Sequence, residues 1–321
     1  MGYRRPWRWW TPALLLALSA TWAVNAQEDA TPDLTPPELG SFELESITDV
    51  VVEDVPIIPE LTDHARIIYE RGQEAGRNAQ VFSKIGDCMT ASAEFLNPFG
   101  TGDYDLGEFA ELQAVVHYFD AVPARTEEAE VDFSAFDNPG LSTASGFTTT
   151  SVLDSTWSDP QWCNANESPL ECEYRWSQPA FALVMFGTND VLFFDTATFD
   201  YYYRMIILET IEADIVPVLY TIPVRPEQPD RTDEFNRVVI RIAEDYDLPL
   251  VNLFAAVNDL PDNGVDPVEP IHLSFPEDDK TGNLTEDYLQ YGYNMRNLVT
   301  LQTFAQFLTD LEIDLSAFEE A

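Results

Sequence analysis

From residue 61 onward the chain alternates between two hydrophobic periods. Residues 62–76 read as a helix, with Thr62 as its N-cap. Residues 80–85 form a short apolar run that reads as a buried strand. Residues 95–105 are rich in Gly and Asp and read as loop. Phe109, Leu112, Val115, Val116 and Tyr118 fall at helical spacing within 106–119. A weak strand is expected over 131–136 and a strong one over 180–186, Ala-Phe-Ala-Leu-Val-Met-Phe. Helices over 198–213, 232–246 and 286–308 then alternate with strands over 215–221 and 249–254. Pro217 is a mild objection to the first of those strands, because proline gives the ladder no donor. Strands alternating with helices predict an α/β fold whose mostly parallel sheet is covered on both faces. Such sheets bind ligands beyond the carboxyl ends of their strands, so the segments that follow the strands are where chemistry is expected.

The ends of the chain follow other rules. Arg4, Arg5 and Arg8 precede an apolar stretch over 12–24, and Val24-Asn25-Ala26 presents small residues beyond it. This is the pattern of a signal peptide cleaved after Ala26, leaving a secreted protein. The alternative is an uncleaved N-terminal membrane anchor, against which the stretch is short. Residues 27–60 hold ten Asp or Glu, five Pro and no Lys or Arg, and read as an acidic, mostly disordered linker. Its Val50-Val51-Val52 and Ile57-Ile58 are expected against the domain, which is assigned to 61–312, with 313–321 as a tail.

Charge narrows the partners. The 57 Asp and Glu against 16 Lys and Arg give −41, and Lys84 and Lys280 are the only lysines. Such a field repels nucleic acid and anionic membranes and favours neutral or cationic ligands. A monomer acting on a small-molecule or glycan ester is expected, with no metal or organic cofactor. Of the three cysteines, Cys163 and Cys172 flank a short polar segment and are expected to form a disulfide in an exported protein. Cys88 is left unpaired. Asn166-Glu167-Ser168 and Asn283-Leu284-Thr285 match glycosylation sequons, a short motif with little specificity.

Three motifs each follow an expected strand or lie in a late loop: Gly86-Asp87-Cys88, Gly187-Thr188-Asn189-Asp190, and Glu269-Pro270-Ile271-His272. In this order they resemble the SGNH (GDSL-type) hydrolase family over roughly residues 75–308. That family carries its nucleophile in Gly-Asp-Ser and its base in Asp-x-x-His, so here Cys stands for Ser and Glu for Asp. The resemblance implies a three-layer α/β/α sandwich around a flavodoxin-like, five-stranded sheet. It implies Cys88 as nucleophile, His272 as base and Glu269 as the carboxylate that orients it, with Asp266 and Asp262 as nearby alternatives. It also implies an oxyanion hole from the Cys88 N–H, a glycine N–H and the Asn189 amide. Gly146, in Ser145-Gly146-Phe147-Thr148, is the glycine chosen over Gly100, Gly102 and Gly107. Asp87, Gly187 and Asp190 are expected to brace the loops. His64 and His117 fall inside helical patterns and read as structural. A helix start at Cys88 is expected to lower its thiol pKa. The implied activity is hydrolysis of an acyl ester on an extracellular glycan or lipid. The rival readings are a non-catalytic protein that binds a glycan in the same cleft, and acyl transfer through a thioester.

Overall fold

The helix expected over 62–76 forms as α1 (Asp63–Ala75). The Thr62 side chain accepts from the Ala65 N–H, and Gly76 at φ +89 ends the helix. In this computed structural model residues 32–130 and 132–319 are described. The leader expected over 1–26, its cleavage point, its anchor alternative and residue 131 lie outside them. Among the described residues no helix is long and apolar enough to cross a membrane.

After α1 come β1 (Asn78–Gly86), the short helices α2 (Cys88–Ala91) and α3 (Asn97–Thr101), and α4 (Gln113–Asp120). Then follow α5 (Pro169–Ser177), β2 (Pro179–Met185), α6 (Asp190–Phe193) and α7 (Thr196–Glu212). The chain continues with β3 (Val216–Tyr220), α8 (Pro229–Asp245), β4 (Leu250–Val251), α9 (Leu253–Val257) and α10 (Gly292–Asp310). The four strands pair in parallel in the order β1-β2-β3-β4. Phe82 and Phe181 lie opposite each other in register. The rings of Tyr69 on α1, Phe119 on α4, and Phe304 and Phe307 on α10 pack on that pair. Ser83 points the other way and donates to Glu173 on α5. Tyr174 of α5 bonds Thr210 of α7, and Phe199 of α7 stacks on Phe235 of α8. Helices thus cover both faces, as the alternation requires.

Among the described residues the sheet has four strands, not five. The chain turns where the weak strand was expected: Ser134 N–H donates to Asp137 Oδ1 and Asn138 N–H to the Ser134 carbonyl. Lys84 Nζ then holds the turn by donating to the Phe136 carbonyl at 2.9 Å. Beside β1, a fifth strand shrinks to one bridge between Gly86 and Thr143. Three further differences are local. α3 occupies part of the expected loop over 95–105. Asn252 ends β4 early, because its side chain caps α9 by accepting from Ala255 N–H. α5 was not expected, although Ser168 and Glu171 form a capping box ahead of it.

Residues 44–58 lie against the sheet's far edge, the contact expected of Val50–Val52 and Ile57–Ile58 beginning as early as Ile47. Ile47, Val50 and Val52 are buried. The buried Asn252 amide donates to the Val52 and Val55 carbonyls, and Arg241 donates to the Ser46 carbonyl. The partners that satisfy the segment's backbone lie some two hundred residues further along the chain.

Candidate active site

Asp87 and Cys88 follow β1 directly. Asp87 Oδ1 accepts from the Met89 N–H at 3.0 Å and so caps α2, which presents Cys88 at its first position. The bond is satisfied; the charge is not. Asp87 is fully buried and its Oδ2 has no partner among the described residues. Burial pushes its carboxyl up to about 7, and the neighbouring Asp190 adds to the rise. Asp190, also buried, takes the Thr149 N–H and hydroxyl on Oδ1 at 2.8 and 2.7 Å, and its Oδ2 is likewise unpartnered. Burial raises it to about 6. These bonds join the 146–149 loop to the loop that ends β2. Gly187 in that loop sits at φ +136, and a Cβ there would meet Ile222 at 2.9 Å. Only glycine suits such a backbone.

Cys88, His272, Glu94, Ser145, Phe275 and Tyr293 line one cleft of about 270 Å³. His272 Nδ1 lies 3.3 Å from Glu269 Oε2. Asp266 is engaged elsewhere: its Oδ1 accepts from the Val268 and Glu269 N–H groups at 2.7 and 2.8 Å. Asp262 is exposed in a tight turn at φ +52. Of the three carboxylates considered, the structure brings Glu269 to the imidazole. Asn189 Nδ2 donates to the Phe147 carbonyl at 2.9 Å, which holds the amide beside the Gly146 loop. Gly146 is exposed at φ +83, and its N–H meets no acceptor among the described residues. A Cβ on Gly100 would meet Asp137 and one on Gly107 would meet Thr285, neither of which lines the cleft. His64 Nδ1 bonds the Tyr246 carbonyl and His117 Nδ1 the Phe318 carbonyl, both outside the cleft.

The expectation of an acidified thiol is reversed. Burial pushes Cys88 up to about 12, and the Asp87 carboxylate adds to this. The N–H groups of Met89 and Cys88 and the Arg225 charge act the other way without prevailing. A helix of four residues has little macrodipole to oppose desolvation. The rate of Cys88 alkylation by iodoacetamide is therefore expected to climb about tenfold per pH unit from pH 7 to 10, because the thiolate is the nucleophile. A plateau below pH 9 would show a thiol far more acidic than this site allows.

Two arginines escaped the sequence reading. Arg296, fully buried on α10, donates to the Met89 carbonyl at 2.8 Å and the Thr90 hydroxyl at 3.0 Å. Its guanidinium lies 3.6 Å from the Phe95 ring centroid. It clamps α2 from behind. Arg225 Nη1 donates to the Thr188 carbonyl at 2.6 Å and steadies the Gly187–Asp190 loop. Neither stands in a recognisable motif, since each reaches its partner only through the fold. Cys163 and Cys172 form the expected disulfide, with Cα atoms 5.3 Å apart. With Glu167 they are the one cluster of metal-ligating side chains among the described residues, but both sulfurs are bonded to each other and Glu167 pairs with Arg175 at 2.6 Å. No thiolate is left for an ion.

Comparison with protein-family models and with curated proteins finds no match. Among solved structures the chain is similar to a lipase/acylhydrolase from Enterococcus faecalis, at 17% identity and a TM-score of 0.41, over 69% of this chain and 93% of that one. It is similar to Axe2, an acetylxylan esterase from Geobacillus stearothermophilus, at 18% identity and a TM-score of 0.43, over 71% and 94% of the two chains. A third similarity is to AlinE4, an SGNH-hydrolase family esterase, at 23% identity and a TM-score of 0.32, over 58% and 82%.

Proposed function

We propose that the protein hydrolyses acyl esters through a covalent intermediate on Cys88, after export from the cytoplasm. The observation that carries this reading is that Cys88 and His272, far apart in the chain, line one cleft. In the proposed reaction the Cys88 sulfur attacks the ester carbonyl while His272 takes the thiol proton. The carbonyl electrons move to the oxygen, which the N–H groups of Cys88 and Gly146 and the Asn189 amide receive. When they return, the C–O bond breaks and the alcohol leaves with the proton from His272. Water then attacks the thioester, His272 again carries the proton, and carboxylic acid and thiol are released. Glu269 holds the imidazole with Nδ1 toward itself and so leaves Nε2 for proton transfer. A thiol pKa of about 12 does not forbid this. An alcohol is less acidic still, and an adjacent general base activates it in the act of attack.

Two features support export: the Arg-rich, apolar leader and the disulfide, which forms in oxidising compartments. The resemblance to SGNH hydrolases alone suggests an acylated glycan or lipid as substrate. The test is hydrolysis of short-chain aryl esters and thioesters under reducing conditions, wild type beside Cys88→Ala and Cys88→Ser. Turnover in wild type that is lost in Cys88→Ala supports the reading. Turnover equal in wild type and Cys88→Ala sinks it. Activity in Cys88→Ser alone would point to the rival reading, a binding cleft silenced by its natural cysteine, which the high thiol pKa favours.

A further inference from the structure

The cleft holds one group whose chemistry the hydrolysis itself does not use. Glu94 presents a half-buried carboxylate there, and no Lys or Arg lines the space. Its Oε2 accepts from the Ser92 hydroxyl. Phe275, 40% exposed, lines the same space from the His272 loop. Arg296 is engaged with the Met89 carbonyl and the Thr90 hydroxyl, and Arg225 with the Thr188 carbonyl. A carboxylate and an exposed aromatic ring in one cleft form a set that receives an ammonium ion, by charge and by cation–π attraction. The cleft, of about 270 Å³, is open to solvent and has room for a small ammonium group.

We propose that this cleft selects acyl esters whose leaving alcohol carries a small ammonium group, and that Glu94 and Phe275 receive that cation. The choice of ester rests on the hydrolase reading above; the binding of the cation does not. Glu94 then acts on specificity, setting which alcohol sits where His272 delivers its proton.

Cys88 is the free thiol of the described residues, so thiol reagents report on the cleft directly. The test compares trimethylammonium-ethyl methanethiosulfonate with its neutral hydroxyethyl analogue, each rate divided by that with free mercaptoethanol. In each reaction the Cys88 sulfur bonds the reagent's sulfenyl sulfur, methanesulfinate leaves and the thiol proton passes to solvent. The net charge of −41 attracts any cation, so the comparison is made in 1 M NaCl, where the Debye length is about 3 Å. The cationic reagent is expected to be favoured about tenfold, the order one partly desolvated cation contact supplies. The ratio falls toward unity in Glu94→Gln, and Phe275→Leu lowers it while keeping an apolar side chain in place. A wild-type ratio near one, or a ratio unmoved by Glu94→Gln, overturns the proposal. Hydrolysis of acetylthiocholine against its uncharged 3,3-dimethylbutyl thioester separates the two readings. Reagent selectivity without hydrolysis of either thioester keeps the cation site and removes the hydrolase. Hydrolysis of both at equal rates keeps the hydrolase and removes the cation site.

Discussion

Replacing His272 with alanine is expected to lower kcat for a short-chain aryl ester by about 10²–10⁴-fold, the range that a positioned general base contributes. The reason lies in the thiol. With Cys88 near 12, only about one molecule in 10⁵ carries a thiolate at pH 7. The proton must therefore leave during the attack, and the imidazole in the same cleft is the group placed to take it. The residual rate of His272→Ala should rise with pH up to pH 10, as hydroxide replaces the missing base. Glu269→Gln should cost far less. Its side chain is 70% exposed, and exposed pairs of this kind are worth at most about 1 kcal/mol, or roughly fivefold in rate. Steady-state kinetics of the two variants beside wild type check both numbers. A His272→Ala variant within threefold of wild type would remove His272 from the reaction. A loss on Glu269→Gln as large as on His272→Ala would mean that this carboxylate is shielded from water during turnover.

Asp87→Asn is expected to stabilise the protein at pH 8 and to change little at pH 4. Asp87 rises from 3.8 to about 7 on folding, and Asp190 from 3.8 to about 6. The native state keeps protons that the unfolded chain has already released across this window. Stability therefore falls as pH rises from about 4 to about 7 and stays low above it. At about 1.4 kcal/mol per pKa unit the effect of Asp87 is on the order of a few kcal/mol at pH 8. Asparagine removes the buried charge and keeps an oxygen to cap α2 through the Met89 N–H. Thermal unfolding of wild type and variant at pH 4, 6 and 8 reads this directly. The Tm difference should grow by several degrees across the series. Equal pH dependence in both proteins would show that the Asp87 charge is solvated or paired in a way the buried, unpartnered Oδ2 excludes. The same pair explains why a destabilising group sits here. Asp87 orders the loop that carries Cys88 and Asp190 ties down Thr149, so two buried charges hold two loops at one place.

Where a single element contains its own cause, the residues alone were enough. Thr62 and Gly76 bracket α1 with a cap and a left-handed stop, and α1 forms between them. The uninterrupted apolar run over 180–186 becomes β2, buried along its whole length. Even Pro217 is no obstacle to β3, where all five residues are buried. The capping box of α5 was equally local and was overlooked. The weak strand failed for a non-local reason, because the Lys84 ammonium, buried under the sheet's edge, takes the Phe136 carbonyl that a ladder would need.

The sequence by itself determined the alternation of strands and helices, hence a parallel sheet with its functional loops at one end. It also named Cys88 and His272, which line one cleft. These follow from periodicity and from motif order, which act over a few residues. The tertiary structure decided which carboxylate faces His272, because Asp266 spends its oxygen on backbone N–H groups two and three residues on. It alone decided the protonation of the site. Desolvation is a property of what surrounds a group, and it reverses the acidity that a helix start at Cys88 would suggest. It also recruited Arg296 and Arg225, whose long side chains reach loops far away in the chain, and it folded an acidic segment against Asn252.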